Sequence, residues 1–407
     1  MIAAIERMTG VKWRAQGPAF LVGAGHGATH WILATIYVIL PFVRDDLGLS
    51  YTEAGSVISI FHAASFSANV GSGAVVDMTG RRVLTQVASL IIGGLALAFV
   101  GFAAGIWALA AMVVFIGATN NLWHPAAISY LSRAYPENRG YALSIHTLGA
   151  SVGDTLAPLA AGALLAWLTW QGAASANALP VFAVALALYV LLGRDEKASR
   201  KKASGEADGG MGLGAYFAGF VGLLKDRAVV GLCVMAGFRS MCQNGLLVYV
   251  PMLLKDVFGF GPVLLGLALT TLQVGGMISG PVAGTVSDKA GRRPVVLGGL
   301  AATTAVVLFV TMVEQPALLI ALMAVLGGML FSVRPVIHGW AMDLTPDYMH
   351  GSAVSLLFGT QSLFSMIVPI VGGVIADTWG VAAVFYALAA TMLAATALTV
   401  FLPERRR

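Results

Sequence analysis

Gly73-Ala-Val-Val-Asp77-Met-Thr-Gly80-Arg81-Arg82 returns in the second half of the chain as Gly284-Thr-Val-Ser-Asp288-Lys-Ala-Gly291-Arg292-Arg293. The echo spreads outward from these two stretches at nearly the same offset. Tyr37, Gly48 and Gly55 have counterparts at Tyr249, Gly259 and Gly266, and His124-Pro125 aligns with Arg334-Pro335. Pro136, Gly140, Pro158 and Gly162 align in turn with Pro346, Gly351, Pro369 and Gly373. So long a period is not that of a solenoid. In an apolar chain it points to two related halves, with a path for a solute where they meet.

Composition sets the class. The 407 residues are 58% hydrophobic and 11% charged, against roughly 25% charged in soluble domains. Apolar runs near the length a bilayer helix needs alternate with short polar stretches. Twelve are read, at about 17–41, 53–76, 83–103, 107–131, 140–166, 176–193, 228–254, 263–286, 294–313, 317–340, 352–376 and 381–402. The expected fold is an all-α integral membrane protein with twelve transmembrane helices in two pseudo-symmetric six-helix bundles. The bundles are expected over residues 1–193 and 228–407. Between them, 194–227 breaks the apolar pattern with charge, Ser and Gly and reads as a cytoplasmic linker, with a short interfacial helix near 213–224. The first run contains His26 and His30, lacks a small-residue cleavage site and reads as a span rather than a leader. Cys233 and Cys242, on one span, read as small apolar side chains.

Charge gives orientation. With both termini in the cytoplasm, 20 Lys and Arg fall on the cytoplasmic side and only Arg44 and Lys255 on the other. That bias follows the positive-inside rule, implies a multi-pass plasma-membrane protein (a bacterial inner membrane is expected), and accounts for the net charge of +5 without nucleic acid.

In the doubled loop, an Asp at a helix end can cap a neighbouring helix or pair with Arg, and the following Gly permits a tight reversal. Gly73, Asp77, Gly80, Arg81 and Arg82, and likewise Gly284, Asp288, Gly291, Arg292 and Arg293, are therefore read as a conformational latch. This Gly-x-x-x-Asp-x-x-Gly-Arg-Arg pattern resembles the signature cytoplasmic loop of the major facilitator superfamily, and the resemblance covers essentially the whole chain. It implies that family's fold and alternating access. Gly149-x-x-x-Gly153-Asp154-Thr-Leu-Ala-Pro158-Leu-Ala-Ala-Gly162 is similar to the motif of the superfamily's exporters, with Ala157 and Ala161 where glycines are expected. Asn121-Leu-Trp-His124-Pro125, Arg133, Arg139-Gly140 and Ser144-Ile145 resemble the fosmidomycin-resistance branch of efflux carriers.

Polar groups inside spans supply the candidate site. A charge within a bilayer is costly, so it faces the bundle interior. His26/His30, Asn120/His124, Arg239/Gln243 and Arg334/His338 are each four apart, hence each pair shares one helix face. These residues, with His62, Asn121 and Gln361, are the substrate-binding candidates. His26, His30, His124 and Asp154 are the proton-coupling candidates. Each has a structural alternative: a span histidine can simply link helices, Asp154 can be a fixed partner for a histidine, and either arginine can pair internally with backbone carbonyls or Asp154. Trp123 and Trp340 flank the polar positions, where they can stack on substrate, anchor or pack. His26 and His30 have metal-ligand spacing, but without a clear Cys or carboxylate companion no metal site is expected.

No phosphate-binding loop with Gly-Lys-Ser/Thr, serine-nucleophile pattern or metal-hydrolase pattern is present, so neither an enzyme nor a cofactor is expected. Energy must then come from an ion gradient, with protons titrating His or Asp. The expected function is that of a secondary active transporter performing proton-coupled export of a small organic compound or drug, anionic on account of Arg239 and Arg334. Proton-coupled uptake of an organic anion and a non-transporting membrane receptor are the alternatives, with a metal transporter behind them. The expected partners are the substrate, protons and the lipid bilayer, with no nucleic acid, and the chain is expected to be a monomer.

Overall fold

A computed structural model of the chain describes residue 6 and residues 9–200, 221–346 and 349–403, apart from the side chains of 69–71, 73–75, 77–78, 194–200 and 350–351. Among the described residues the architecture is all-helical. Twelve long helices follow one another: α1 (Gly17–Asp46), α2 (Tyr51–Thr79), α3 (Arg82–Val100), α4 (Ile106–Ala134), α5 (Arg139–Leu165), α6 (Trp170–Arg200), α7 (Arg227–Asp256), α8 (Pro262–Ala290), α9 (Arg292–Val310), α10 (Pro316–Leu344), α11 (His350–Trp379) and α12 (Val381–Phe401). A backbone in hydrocarbon must satisfy its own polar groups, so long apolar runs have little choice but helix.

Ten of the twelve are long and apolar enough to cross a membrane; α2 and α7 fall outside that set. The middle of α7 carries Arg239, Gln243 and Asn244, which lower its hydropathy, and part of α2 lies outside the described side chains. Large apolar side chains such as Phe102, Trp107, Leu186, Ile278 and Val282 are exposed. That pattern would be unfavourable in water and suits helices faced by lipid.

The helix boundaries have local causes. Pro262 and Pro316 begin α8 and α10, where the missing N–H costs nothing. The Asp226 carboxylate caps α7, accepting from the Ala228 and Val229 amides at 2.8 and 3.3 Å. Gly48 and Gly259, a repeat-related pair, leave α1 and α7 at φ 61° and 65°. The latch glycines Gly80 and Gly291 do the same after α2 and α8, at φ 60° and 95°. A side chain is disfavoured there, so the repeat keeps glycine where the chain must turn.

The chain forms two compact units. The first comprises Met1–Val43 and Ala63–Glu206, the second Arg44–His62 and Ala207–Arg407. In the first unit α3 packs on α4 and α6, α4 on α5, and α5 on α6; in the second, α9 packs on α10 and α12, α10 on α11, and α11 on α12. The scheme is the same, shifted by six helices. The crossing of α1 and α5 is close because it is made of glycine. A Cβ on Gly27 would sit 2.7 Å from the Gly149 carbonyl oxygen, and one on Gly23 would sit 2.9 Å from that of Ile145. In the second unit α7 packs on α11.

Residues 44–62 pack with the second unit rather than with the helices that precede and follow them in sequence. A polar cluster is part of that packing. Arg44 donates to Asp45 at 2.5 Å and to Asp256 at 2.6 Å, lies 4.2 Å above the Tyr51 ring, and Lys255 pairs with Asp45. The Tyr51 hydroxyl donates to Asp256 at 2.8 Å. Burial, together with that bond, raises the Tyr51 phenol above its ordinary pKa. Asp377 caps the start of α2, accepting from the Tyr51 and Thr52 amides at 2.8 and 2.9 Å and from the Thr52 hydroxyl at 2.6 Å. Arg44-Asp45 and Lys255-Asp256 occupy equivalent places in the repeat, and each basic residue pairs with the other's acid.

Of the expected linker, 201–220 lies outside the described residues; of the short interfacial helix, 221–224 is described and helical.

Candidate functional site

In the first unit, α1, α4 and α5 bring four imidazoles together. His26 packs edge-on to His30 and His124, with ring centroids 4.8 and 5.0 Å apart, and stacks on His146 at 3.8 Å. Each of three Nδ1 atoms meets an oxygen that can only accept. His26 donates to the His146 carbonyl at 2.7 Å, His124 to the Asn120 carbonyl at 2.9 Å, and His30 to the Asp154 carboxylate at 3.0 Å. These partners set the tautomers and leave Nε2 to carry the lone pair. The Nε2 atoms of His26 and His146 are buried without partners. Helix-facing small residues make the cluster possible, since the Gly27–Gly149 crossing carries His26 and His30 up to His146 and Asp154. One ring nitrogen each of His26, His30 and His124 lies within 4.8 Å of the other two, a separation a metal ion can bridge.

The candidates His26, His30, His124 and Asp154 are thus adjacent, and Asp154 is a hydrogen-bond partner of a histidine. Asn120 contributes its backbone carbonyl. Asn121 points elsewhere in the unit: its amide donates to the Ser65 carbonyl at 2.5 Å and to the Ser65 hydroxyl, joining α4 to α2. His62 belongs to the second unit, its ring edge-on to Phe61 at 5.2 Å. Trp123 and Trp340 are fully buried in the cores of their units. Cys233 and Cys242 are buried free thiols.

In the second unit, α7 and α10 hold a cationic group. Arg239 is 2% exposed, donates from Nη2 to the Leu330 carbonyl at 2.7 Å, and keeps a buried Nε without a partner. Pro335 has no N–H to offer the neighbouring Phe331 carbonyl, although α10 runs unbroken through it. Arg334 and His338, on the same helix, lie near enough to Arg239 for their charges to interact. Arg334 is exposed and His338 partly buried, its ring edge-on to Phe358 at 5.1 Å. Gln243 has a buried Oε1 without a partner, and Gln361 accepts through its carbonyl from the Ser365 hydroxyl at 2.7 Å.

The second latch loop forms a three-helix tie. Arg292 donates to Asp288 at 2.6 Å, to Ser287 at 2.7 Å and to Asp343 at 3.0 Å, so α8, α9 and α10 meet at one guanidinium. Arg293 reaches the Val400 carbonyl on α12. In the first loop, Arg82 donates to Ser129 on α4 at 2.6 Å; Gly73 and the Asp77 carboxylate lie outside the described side chains. The repeat sets Arg133 opposite Asp343, so α4 carries a base where α10 carries the acid of the tie.

Sequence reasoning missed His146, the polar seam of Ser240, Asn244 and Ser365, and the pairing of Asp343 with Arg292. His146 stands two helical turns before Asp154, and Asn244 one turn after Ser240; both spacings were signals of a shared face. Asn244 donates to the Ser365 hydroxyl at 2.7 Å, closing α7 onto α11. Nothing local marks the Asp343 pair, whose partner is on another helix.

The comparisons with known proteins agree with this architecture. The family model described as Major Facilitator Superfamily matches residues 20–272 and 232–407. A putative metabolite transport protein of Haemophilus influenzae is 24% identical over 78% of this chain and 77% of its own. The multidrug efflux pump Tap of Mycolicibacterium fortuitum is 23% identical over 98% of both chains. Among solved structures, a bacterial homolog to the human lysosomal transporter Spinster, in an inward-facing and unoccupied conformation, superposes with a TM-score of 0.79 at 16% identity, covering 96% of each chain. With twelve helices in two repeat-related units and polar clusters inside the spans, the chain belongs to the Major Facilitator Superfamily, a family of secondary transporters rather than enzymes.

Proposed function

We propose that this transporter exports a small organic anion in exchange for protons, by alternating access. The observation that carries the proton half is the histidine cluster, with His26 and His146 buried, tied to Asp154 through His30. Burial makes a single charge state costly, so gain and loss of a proton there changes the stability of whatever conformation encloses it. The groups facing one another are His26, His30 and Tyr37 on α1, His124 on α4, and His146 and Asp154 on α5. The substrate half rests on the like charges of Arg239 and Arg334 and on the unpartnered Nε of Arg239, which favour an anionic ligand, with His338, Gln243 and Gln361 as further candidates. The full length shared with a named efflux pump, and the exporter-like Gly149 to Gly162 stretch, support the outward direction. The stretch around His124 supports a position near the fosmidomycin-resistance branch.

On this reading the latch residues of both loops set the rate of exchange between conformations. The bundles of residues 1–193 and 228–407 are the moving bodies, the protein works as a monomer, and both termini face the cytoplasm of a bacterial inner membrane.

The test is flux in proteoliposomes of defined orientation under an imposed pH gradient, using ligands found by thermal stabilisation. Export predicts that an outwardly directed ligand flux is accelerated by an inward proton gradient, and that Asp154→Asn and His30→Gln uncouple or abolish it. Acceleration only in the uptake direction would sink the export reading. Stabilising ligands that never cross the bilayer would favour a receptor.

A further inference from the structure

We propose that His26, His30 and His124 form a binding site for a divalent transition-metal cation of borderline softness, of the class of Zn2+, Ni2+ and Co2+. The proximity of the three ring nitrogens, all within 4.8 Å, is the first ground. Nitrogens about 2.0–2.1 Å from a tetrahedral cation stand roughly 3.4 Å apart, a gap that side-chain rotation closes.

The second ground is the hydrogen bonding behind the rings. Metal-bound histidines donate their other N–H to a carboxylate or a backbone carbonyl, which fixes the tautomer and raises the basicity of the ligating nitrogen. All three residues already do this, His30 to Asp154 and the other two to backbone carbonyls. The bonds of His26 and His30 also join α1 to α5, but such a link uses only Nδ1 and leaves the second ring nitrogen to find partners. The His26 Nε2 has none, although the residue is 6% exposed. His146, stacked on His26, has a second buried and unpartnered Nε2.

The donor set selects the cation. Neutral imidazoles suit Zn2+, Ni2+ and Co2+; Mg2+ and Ca2+ require oxygen ligands, and the cluster includes no thiolate to favour Cu+. Three protein ligands leave a coordination position open, which allows the ion to exchange. The same nitrogens take up protons, so metal and proton compete. Binding at equilibrium is independent of the direction and the coupling proposed above.

The experiment uses the full-length protein without a histidine tag, stripped with EDTA, desalted in detergent and titrated with Co2+ while its visible ligand-field bands are followed. Wild type is expected to bind one equivalent and to lose affinity as the pH is lowered, because protons compete for the ligating nitrogens. His30→Gln and His124→Gln should each weaken binding by about tenfold to a hundredfold or more, and Asp154→Asn by about tenfold. The Cys233→Ala/Cys242→Ala double variant should bind as wild type, since no thiolate takes part. Absence of ligand-field bands in monodisperse wild type, or bands unchanged in both His→Gln variants, would overturn the proposal. If His26→Gln, the most buried substitution, fails to fold, the two partly exposed positions carry the test. Proton-coupled flux without Co2+ binding sinks the cation site and leaves the export reading standing; Co2+ binding without flux does the reverse.

Discussion

At the scale of single residues, Arg239 is the most telling side chain. A buried guanidinium with one carbonyl partner, an orphaned Nε and a like charge nearby is poorly compensated, because a buried donor without an acceptor costs about 1–3 kcal/mol. An anion entering beside it would supply that acceptor. Arg239→Ala is therefore expected to leave the melting temperature of the ligand-free protein within a few degrees of wild type. It should weaken binding of a stabilising anion at least tenfold, the loss of a charge-assisted hydrogen bond. Arg239→Lys should recover part of the affinity without the fork geometry. Thermal melts with and without ligand read both quantities, and a large fall in the ligand-free melting temperature with unchanged affinity would assign Arg239 to structure alone. The sequence placed this arginine on a polar helix face by its spacing to Gln243. That it spends one hydrogen bond on Leu330 was not legible, because the acceptor is a backbone atom on another helix and leaves no mark in side-chain pattern.

At the scale of helices, the Asp288–Arg292–Asp343 tie joins three elements through one side chain. Salt bridges this exposed contribute about 0–1 kcal/mol each, so their loss should do little to overall stability. On the proposed reading their geometry matters more, because Arg292 joins α8, α9 and α10 in this one packing through both carboxylates. Asp288→Asn and Asp343→Asn are expected to change the transport rate several-fold while ligand affinity stays within about twofold. Stopped-flow flux beside equilibrium binding measures the two. Loss of binding with an unchanged rate would remove Arg292 and its acids from the conformational step. The doubled motif made Asp288 and Arg292 readable in advance. Asp343 was readable only as a charge at a helix end, since the motif does not extend to α10.

At the scale of the whole molecule, the internal repeat reaches beyond the loops that announce it. Arg44 and Lys255, the two basic residues expected on the side away from the cytoplasm, lie in one cluster and exchange acids, Arg44 taking Asp256 and Lys255 taking Asp45. A double-mutant cycle of Arg44→Ala and Asp256→Ala should give a coupling energy of about 0.2–1 kcal/mol that shrinks as salt is raised, as for other exposed pairs. Zero coupling at low ionic strength would show that the pair does not hold residues 44–62 in place. The sequence by itself determined the class, the twelve helices and the twofold repeat. These depend on apolar length, on glycine at turns with positive φ and on spacing along one helix, all of which are local. Only the tertiary structure decided that three histidines gather around His26 with His30 bound to Asp154, that Asn121 bonds to Ser65, and that 44–62 joins the second unit. Those outcomes depend on which helices cross and at what depth, and close crossings such as Gly27 against Gly149 are made by backbone surfaces that no single stretch of sequence records.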